Sequence, residues 1–271
     1  MGVLNITPDS FSDGGRLLAS SGPDLPCVLD AAWEMLAEGA AILDVGGEST
    51  KPGADRVSAD DECRRVIPVL ERLLELDTIV SIDTSKAEVA VRALALGCQL
   101  VNDVSGLRSA DMLQLLAGSD AAVCIMHMQG DPRSMPGAPH YRDVVTEVRL
   151  FLEKQVLMCQ EAGIAAERIL LDPGFGFGKT AEHNLTLLRR LSELKIDGLP
   201  LLVGLSRKST IGNITGRKVD ERVHGSVAAA LIAVQNGASI VRVHDVAATA
   251  DALKVLRALS SGVQGEQETH E

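Results

Sequence analysis

The chain has 271 residues, of which 46% are apolar and only 2% aromatic. This length suits one large domain or two small ones, and a core of Val, Ile, Leu and Ala is typical of parallel sheets covered by helices. The formal net charge of −11 excludes the basic footprint of proteins that bind nucleic acid or anionic membranes, so we expect neither as a partner.

The cysteines and the apolar runs bear on the compartment. The five cysteines are widely spaced and form no Cys-x-x-Cys zinc motif. An odd number of scattered cysteines is typical of a reducing compartment, so we expect a cytoplasmic protein. We also expect neither a signal peptide nor a membrane span, because the sequence has no basic and apolar leader and no apolar run of ~18 residues.

Eight short runs rich in Val, Ile and Leu recur along the chain, each followed by a polar or glycine-rich tip and a helical stretch. The runs do not alternate between apolar and polar residues, which is typical of parallel strands buried on both faces. They cover residues 3–7, 41–46, 78–84, 100–104, 122–128, 169–172, 201–205 and 240–244.

Amphipathic segments between these runs predict the helices. Ser58 is a predicted N-cap, and Pro68 lies inside the helix that follows and is expected to kink it. Gly163 is a predicted helix end. Apolar side chains recur at helical spacing within residues 28–36, 63–73, 144–151, 187–194 and 252–259.

Eight strand–helix units in about 260 residues predict an α/β fold, a single-domain (β/α)8 TIM barrel over residues 1–260. An open, doubly wound sheet is the alternative. Residues 261–271, rich in Ser, Gly, Glu and Gln, are predicted to form a disordered tail.

Polar side chains cluster where the predicted strands end, which is where barrels carry their functional sites. A cap or a turn explains one polar strand end, but eight together indicate a site, since the opposite ends are apolar. The groups are Asn5, Asp44, Glu48, Asp83, Asn102, Asp103, His127, Asp172, Ser206, Arg207, Lys208, Arg242, His244 and Asp245.

These groups divide by chemistry. Asp83, Asn102 and Asp172 suit a planar heterocycle rich in donors and acceptors, and the alternative is that each bonds the backbone of a neighbouring loop. The last two strands carry a predicted cluster of cations for an anionic ligand, at the place where barrels commonly bind phosphate. The alternative is ion pairing with Asp245 or Asp103. The predicted cations are Arg207, Lys208, Arg242 and His244.

Two further signals carry less weight. Residues 173–180 nearly spell a P-loop, but Pro173 replaces the first glycine, so we predict a flexible, apolar loop. His127 has no second His or Cys nearby and is predicted to be hydrogen-bonded rather than metal-bound.

Three long segments after predicted strands, residues 8–16, 48–56 and 129–143, are predicted lids or binding loops.

Eight stretches of the sequence resemble, in order, the motifs of the bacterial dihydropteroate synthases. A single stretch would be weak, whereas eight in register over nearly the whole chain are specific. They are MGVLNITPDSFSDGG at 1–15, DVGGESTKPG at 44–53, SIDT at 81–84, VNDV at 101–104, MHMQG at 126–130, LDPGFGFG at 171–178, SRKS at 206–209 and RVHD at 242–245.

The resemblance implies an activity and a set of roles. The reaction joins 7,8-dihydropterin-6-ylmethyl diphosphate to p-aminobenzoate in folate biosynthesis, giving 7,8-dihydropteroate and diphosphate. Mg²⁺ is the implied cofactor, and Asn5 is its implied contact. The catalytic residues are implied to be Asp83, Asp172 and Lys208. The implied pterin site also contains Asn102 and Met126. The implied diphosphate site consists of Thr50, Arg242 and His244. The implied p-aminobenzoate site consists of Phe177, Ser206, Pro52 and the stem of Lys208, and it is closed by loops that carry Phe11, Asp13 and Lys51.

The implied mechanism is SN1-like: diphosphate leaves before the arylamine attacks a delocalised pterin cation. A homodimer is possible by analogy with the family.

The sequence departs from the family pattern in two places. Lys51 stands where the family commonly has Arg, which puts a bidentate contact in doubt. Family members usually carry further residues before the first strand, so we expect either a longer natural start or a less stable barrel floor.

Three rival functions remain open. A methyltetrahydrofolate-binding, corrinoid-type methyltransferase shares the pterin cradle but has no diphosphate to bind, and the cationic residues at the last two strands argue against it. A pterin-binding paralogue without catalysis is supported only by Lys51. A generic barrel hydrolase would use Asp44 and Glu48 as paired carboxylates, and nothing else in the sequence supports it.

Overall fold

The structure is a computed structural model, and it describes residues 1–8, 17–19, 22–49, 55–130 and 139–261. Six parallel strands pair in the order in which they occur along the chain, and two more pair with each other. The first six are β1 (Gly2–Asn5), β2 (Ile42–Gly46), β3 (Ile79–Asp83), β4 (Leu100–Asp103), β5 (Ala122–Met126) and β6 (Ile169–Asp172), and the last two are β7 (Leu202–Val203) and β8 (Ile240–Val241).

Two parallel bridges join these strands into a ring. Leu171 pairs with Leu201, which connects β6 to β7, and Gly2 pairs with Val243, which connects β8 to β1. At the second junction the backbone N–H of Val3 donates to the carbonyl of Val243 at 3.2 Å. Every strand therefore has a neighbour on both sides, and the predicted (β/α)8 barrel is confirmed.

Strands β7 and β8 are shorter than the sequence predicts. Beyond them, the backbone N–H of His244 donates to Ser206 Oγ at 3.2 Å rather than to a backbone carbonyl. The N–H of Lys208 turns back to the carbonyl of Leu205 at 3.2 Å. Side-chain and turn hydrogen bonds thus replace the strand ladder at this end of the barrel.

Nine helices lie in the described part of the chain, and a short hairpin (Leu18–Ala19 with Gly22–Pro23) precedes the first of them. Most connect one strand to the next on the outside of the barrel. They are α1 (Leu25–Ala37), α2 (Ala59–Leu73), α3 (Ala87–Leu96), α4 (Ala110–Ala117), α5 (Val144–Glu161), α6 (Ala181–Arg189), α7 (Ser209–Thr215), α8 (Val223–Gln235) and α9 (Val246–Ser261).

The helix signals in the sequence are largely confirmed. Ser58 caps α2 by accepting from the N–H of Asp61, and Pro68 lies inside that helix. Gly163 follows the end of α5 with a φ of 92°. The stripe predicted over residues 187–194 is interrupted at Arg190, whose backbone leaves the helical region while its side chain bonds Asp143 and Glu193. A separate 3-10 turn, Leu191–Leu194, follows.

A small apolar cluster fills the barrel interior. Its buried members are Leu100, Cys124, Leu170 and Leu202, and all of them lie on strands. The larger core cluster, by contrast, combines strand residues with residues of the surrounding helices. Side chains alternate along each strand between these two layers, so the barrel has a dry, packed interior below its polar end.

The tail is predicted over residues 261–271, but α9 extends to Ser261, and residues 262–271 lie outside the described residues. The division into a barrel domain and a tail therefore stays a prediction. None of the helices in the described ranges is long and apolar enough to cross a membrane.

Replacing Leu202 with Ala tests whether the barrel interior is a packed core. Leu202 is fully buried in it, so Leu202→Ala should lower the free energy of unfolding by about 2–5 kcal/mol through lost contacts and an unfilled cavity. Leu150→Ala, on the exposed face of α5, is the matched control and should change it by less than about 0.5 kcal/mol. Equal effects in urea denaturation would contradict the packed interior.

Candidate active site

The strand register brings three of the predicted site residues into one row with a glycine. Asn5, Gly46, Asp83 and Asn102 are successive partners across β1 to β4, and such partners point to the same face of a parallel sheet. Gly46 keeps the row open, since a Cβ there would lie 3.7 Å from both Asn5 Oδ1 and Asp83 Oδ2. The carboxyl end of the barrel thus holds a basin with amide and carboxylate oxygens on its wall.

Arg242, at the end of β8, reaches past β1 to carboxylates on β2 and β3. Its Nε donates to Asp44 Oδ2 at 2.5 Å, and its Nη2 donates to Asp83 Oδ2 at 2.7 Å. Asn102 Nδ2 donates to the same Asp44 oxygen at 3.1 Å. Asp44 is fully buried, so the guanidinium supplies the charge that such a carboxylate requires.

Burial in the basin raises the pKa of two carboxyl groups, those of Asp83 and Asp172. Burial raises the pKa of Asp83 to about 7, against the opposing charge of Arg242. Burial likewise raises the pKa of Asp172, at the end of β6, while Lys208 and the N–H of Gly174 oppose the shift. Two buried acceptors, Asp44 Oδ1 and Asn102 Oδ1, have no hydrogen-bond partner among the residues that the structure describes. A ligand that brings N–H donors or positive charge would lower the free energy of this arrangement.

Lys208 enters the basin from the loop after β7. Its Nζ donates to the carbonyl of Phe175 and lies 4.6 Å from the centroid of the Phe177 ring. Burial lowers the pKa of Lys208 to about 8, with Asp172 and Asp83 opposing the shift. Phe177 packs in turn against a small apolar cluster that contains Met126, Val104 and Met128. Lys208, Phe177 and Met126, each predicted separately, thus form one wall.

The structure corrects the predicted cluster of four cations. Burial, and then the charge of Arg242, lowers the pKa of His244 to about 3, so its imidazole is neutral at pH 7. His244 Nδ1 lies 3.1 Å from Ser206 Oγ. Arg207 Nε and Nη2 donate to the two carboxylate oxygens of Asp245, which is the ion pair named as the alternative. Arg242 and Lys208 remain as the two cations that face the basin.

The loop residues of the predicted p-aminobenzoate and diphosphate sites lie outside the described residues. These residues are Phe11, Asp13, Thr50, Lys51 and Pro52. His127 is described, and it is hydrogen-bonded to Lys179, as predicted for a histidine without a metal.

Two groups at this end of the barrel were missed by the sequence analysis. Lys179 is 9% exposed and its Nζ contacts His127 and three backbone carbonyls. Glu62 is fully buried and shares Lys86 with Glu48 in a second network of charges. Lys179 was missed because it lies in the loop that only resembles a P-loop. Glu62 lies in α2 and Lys86 directly precedes α3, and charged residues in such segments usually indicate a solvent-exposed surface.

The oxygen ligands at this end of the barrel bear on whether Mg²⁺ fits there. The described residues hold no group of three His, Cys, Asp or Glu side chains placed to bind a metal. Asn5 and Asp83, however, present neighbouring oxygens across Gly46. Mg²⁺ is commonly held by one or two protein oxygens together with substrate phosphates and water, so these residues fit such an ion.

Comparison with known proteins assigns the chain to a family. Residues 1–244 match the family described as pterin binding enzyme. A dihydropteroate synthase of Neisseria meningitidis serogroup B is 52% identical over 265 residues, covering 96% of this chain and 92% of the relative.

Two solved structures have the same fold at similar identity. The dihydropteroate synthase of Yersinia pestis, solved as a sulfonamide drug complex, is 46% identical with a TM-score of 0.92, covering 96% of this chain and 94% of that chain. The Burkholderia cenocepacia enzyme, complexed with 7,8-dihydropteroate, is 46% identical with a TM-score of 0.85, covering 96% of this chain and 91% of that chain. The chain therefore belongs to the pterin-binding enzymes and, within them, to the dihydropteroate synthases.

Removing Arg242 should leave Asp44 and Asp83 buried without a cation. We expect Arg242→Met to lower the free energy of unfolding by about 3–5 kcal/mol near neutral pH. The loss should shrink as the pH falls from about 9 to about 7, because Arg242 holds the pKa of Asp83 down and its removal raises that pKa above the parent value of about 7. In the variant Asp83 therefore takes up its proton at a higher pH, which relieves the buried charge.

Urea unfolding at several pH values measures both effects. Arg190→Met is the control, since Arg190 forms partly exposed ion pairs with Asp143 and Glu193. It should cost less than about 1 kcal/mol. A loss for Arg242→Met that stays constant across this pH range would show that the buried carboxylates do not depend on Arg242.

Proposed function

We propose that this chain condenses 7,8-dihydropterin-6-ylmethyl diphosphate with p-aminobenzoate, giving 7,8-dihydropteroate and diphosphate, in the basin between Arg242 and Lys208. The observation that carries the proposal is the meeting of buried acceptors and two cations at one barrel end. The acceptors suit a pterin, which is rich in N–H donors, and the cations suit a diphosphate. Membership of the dihydropteroate synthases supports the same reaction.

The pterin ring is proposed to bind in the inner part of the basin. Asp83, Asn102 and Asp172 would accept hydrogen bonds from its ring nitrogens and amino group, and Lys208 would donate to a ring acceptor. Met126 would cover one face with its thioether side chain, which adapts well to aromatic surfaces. The unpartnered oxygen of Asn102 supports this role, because a bound pterin would satisfy it.

The diphosphate is proposed to bind against Arg242, His244 and Thr50. Arg242 uses Nε and Nη2 for Asp44 and Asp83, and Nη1 has no hydrogen-bond partner among the described residues, which leaves it for an anionic oxygen. His244 is neutral and would donate a hydrogen bond rather than charge. Asn5 is the proposed Mg²⁺ contact; the bound ion would neutralise charge on the diphosphate oxygens.

The p-aminobenzoate site is proposed to lie between Ser206, Phe177 and the aliphatic stem of Lys208. The ammonium group of Lys208 lies 4.6 Å from the centroid of the Phe177 ring, and an aromatic acid would pack beside that ring and the lysine stem. The neighbouring loops would complete the site with Phe11, Asp13, Lys51 and Pro52.

The proposed reaction is a displacement at the exocyclic carbon of the pterin. The C–O bond to diphosphate breaks first, and the electron pair leaves with the diphosphate. Asp83 and Asp172 stabilise the resulting delocalised cation electrostatically. The arylamine nitrogen then forms the new C–N bond and releases one proton to solvent or to the departing diphosphate, so the chain needs no nucleophile and no strong base of its own.

Three features of the whole protein complete the proposal. Residues 1–260 form one barrel domain. The chain works in the cytoplasm, where a reducing medium suits the buried thiols of Cys63, Cys98, Cys124 and Cys159. It forms a homodimer, for which the exposed apolar side chains of Ile232, Val255 and Leu259 on α8 and α9 offer a surface. Light scattering, which measures the molar mass in solution, tests whether the protein forms a homodimer.

The decisive assay measures dihydropteroate and diphosphate together, with the pterin diphosphate, p-aminobenzoate and Mg²⁺ omitted in turn. Formation of both products only in the complete mixture is the expected result. A sulfonamide, as in the complex of the Yersinia pestis enzyme, should compete with p-aminobenzoate. Pterin binding without turnover by a folded sample would refute the proposed reaction and favour a non-catalytic or methyltransferase-type function.

Asp172 and Asp103 are a matched pair of buried carboxyls at strand ends. Asp172→Asn should lower kcat by about 10²–10³-fold, because a neutral amide no longer stabilises a cationic ring. Asp103 accepts from the N–H groups of Ser105 and Leu107, so Asp103→Asn should leave kcat within about 3-fold and reduce stability instead. Steady-state kinetics and thermal unfolding of both variants separate the two roles. Full turnover by Asp172→Asn would remove its part in the mechanism.

The pH profile should report the protonation of Lys208. Its pKa is lowered to about 8, so the cation is present below that pH and lost above it. The kcat/KM for the pterin diphosphate should therefore fall above about pH 8. Lys208→Arg, whose charge persists at higher pH, should shift this decline upward even if its overall rate is lower. An unchanged alkaline limb in Lys208→Arg would assign the decline to another group.

A further inference from the structure

Lys179 is a buried lysine that the reaction scheme does not use. Its Nζ lies 2.9 Å from the carbonyl of Gly174, 3.1 Å from that of Phe177, and 2.9 Å from His127 Nδ1, with the carbonyl of His127 at 3.3 Å. No carboxylate of the described residues forms an ion pair with it. An ammonium group has three N–H donors, so this pocket of acceptors satisfies all of them.

His127 is suited to accept from Lys179. Burial, followed by the charge of Lys179, lowers the pKa of His127 to about 2, so its imidazole is neutral. Burial lowers the pKa of Lys179 to about 7, and below that pH its ammonium group only donates, so Nδ1 of His127 accepts. The ring packs edge-on against Phe151 at a centroid distance of 5.1 Å and near Tyr141 at 6.2 Å, which fixes its orientation.

The carbonyls held by Lys179 mark the two ends of a tight turn after β6. The N–H of Phe177 donates to the carbonyl of Gly174 at 3.1 Å, across the same turn. Gly174 has a φ of 69°, and a Cβ there would lie 1.8 Å from the carbonyl oxygen of His127. The turn is therefore pressed directly onto the end of β5, and Lys179 fills the space beneath it.

The outer side of this turn contacts Lys208. The carbonyl of Phe175 accepts from Lys208 Nζ, and the ring of Phe177 lies against the same ammonium group. A Cβ on Gly176 would lie 3.2 Å from Lys208 Cδ. Phe175, Gly176 and Phe177 thus surround Lys208, and Lys179 holds the carbonyl just before them, of Gly174, and that of the last of them, Phe177.

We propose that Lys179 is a positioning residue for Lys208. It acts through the turn at residues 174–177, and His127 is its fixed acceptor. The inference deepens the proposed function, on which it rests, because Lys208 matters only if the basin binds the pterin and p-aminobenzoate.

A double-mutant cycle distinguishes positioning from general stability. Lys179→Met keeps the long apolar stem but removes the donors, and it should lower kcat/KM by about 10²-fold, the size of effect expected for a misplacement of about 1 Å. In a Lys208→Met background the same change should cost less than about 3-fold, because its effect acts through Lys208. Equal losses in both backgrounds would overturn the proposal. Lys154→Met, on the exposed side of α5, is the control and should match the parent.

Hydrogen exchange gives a readout that does not depend on turnover. Lys179→Met should increase amide exchange in residues 174–178 relative to α6, which follows directly, and Lys154→Met should not. If the parent protein lacks synthase activity, the proposed function fails while this comparison still tests the hold of Lys179 on the turn. Unchanged exchange in a folded Lys179→Met protein would overturn the proposal.

If Lys179→Met does not fold, variants of His127 test whether Lys179 positions Lys208. His127→Leu removes one acceptor and leaves the three carbonyls, so it should lower kcat/KM several-fold, again only when Lys208 is present. His127→Gln offers an amide oxygen to Lys179 and should recover most of that loss. Equal activity of His127→Leu and the parent, or no recovery by Gln, would show that the acceptor side chain does not position the turn.

Discussion

The ion pairs of Arg242 with Asp44 and Asp83 are the constraint on which the site depends. Two acidic side chains on neighbouring strands point into the same barrel, and one of them is fully buried. The guanidinium of Arg242, which follows β8, donates hydrogen bonds to both carboxylates. The strand that completes the ring therefore also supplies the positive charge that compensates the buried carboxylates. Closure of the barrel and assembly of the site are therefore the same structural event.

The two cations of the basin are held in different ways. Arg242 is fixed by carboxylates, whereas the ammonium group of Lys208 meets a backbone carbonyl and an aromatic ring. Lys208 consequently keeps a lowered pKa and depends on the shape of the turn after β6. That turn rests on a second buried lysine, Lys179, rather than on an apolar contact alone. The site thus combines a rigid charged wall with a wall whose geometry depends on backbone hydrogen bonds.

Much of this arrangement was accessible from the sequence, and the failures have physical causes. The eight apolar runs located all eight strands, because parallel strands buried on both faces give a continuous apolar signal. The ends of β7 and β8 were misplaced, since the N–H of His244 donates to the side chain of Ser206 there and not to a strand carbonyl. The charge of His244 was misjudged because burial, which is not visible along the chain, leaves its imidazole neutral. Arg207 is a cation as predicted, but it pairs with Asp245, which was the alternative that the sequence left open.

The sequence by itself determined the barrel, the strand ends that carry the polar groups and, through eight motifs, the family. These are properties of local pattern: apolar runs, helix caps and the residue types at each strand end. Only the tertiary structure decided which acid pairs with which cation, that His244 is neutral, and that Lys179 lies beneath the turn that meets Lys208. Pairing and burial depend on distances between residues far apart in the chain, and such distances exist only once the barrel has closed.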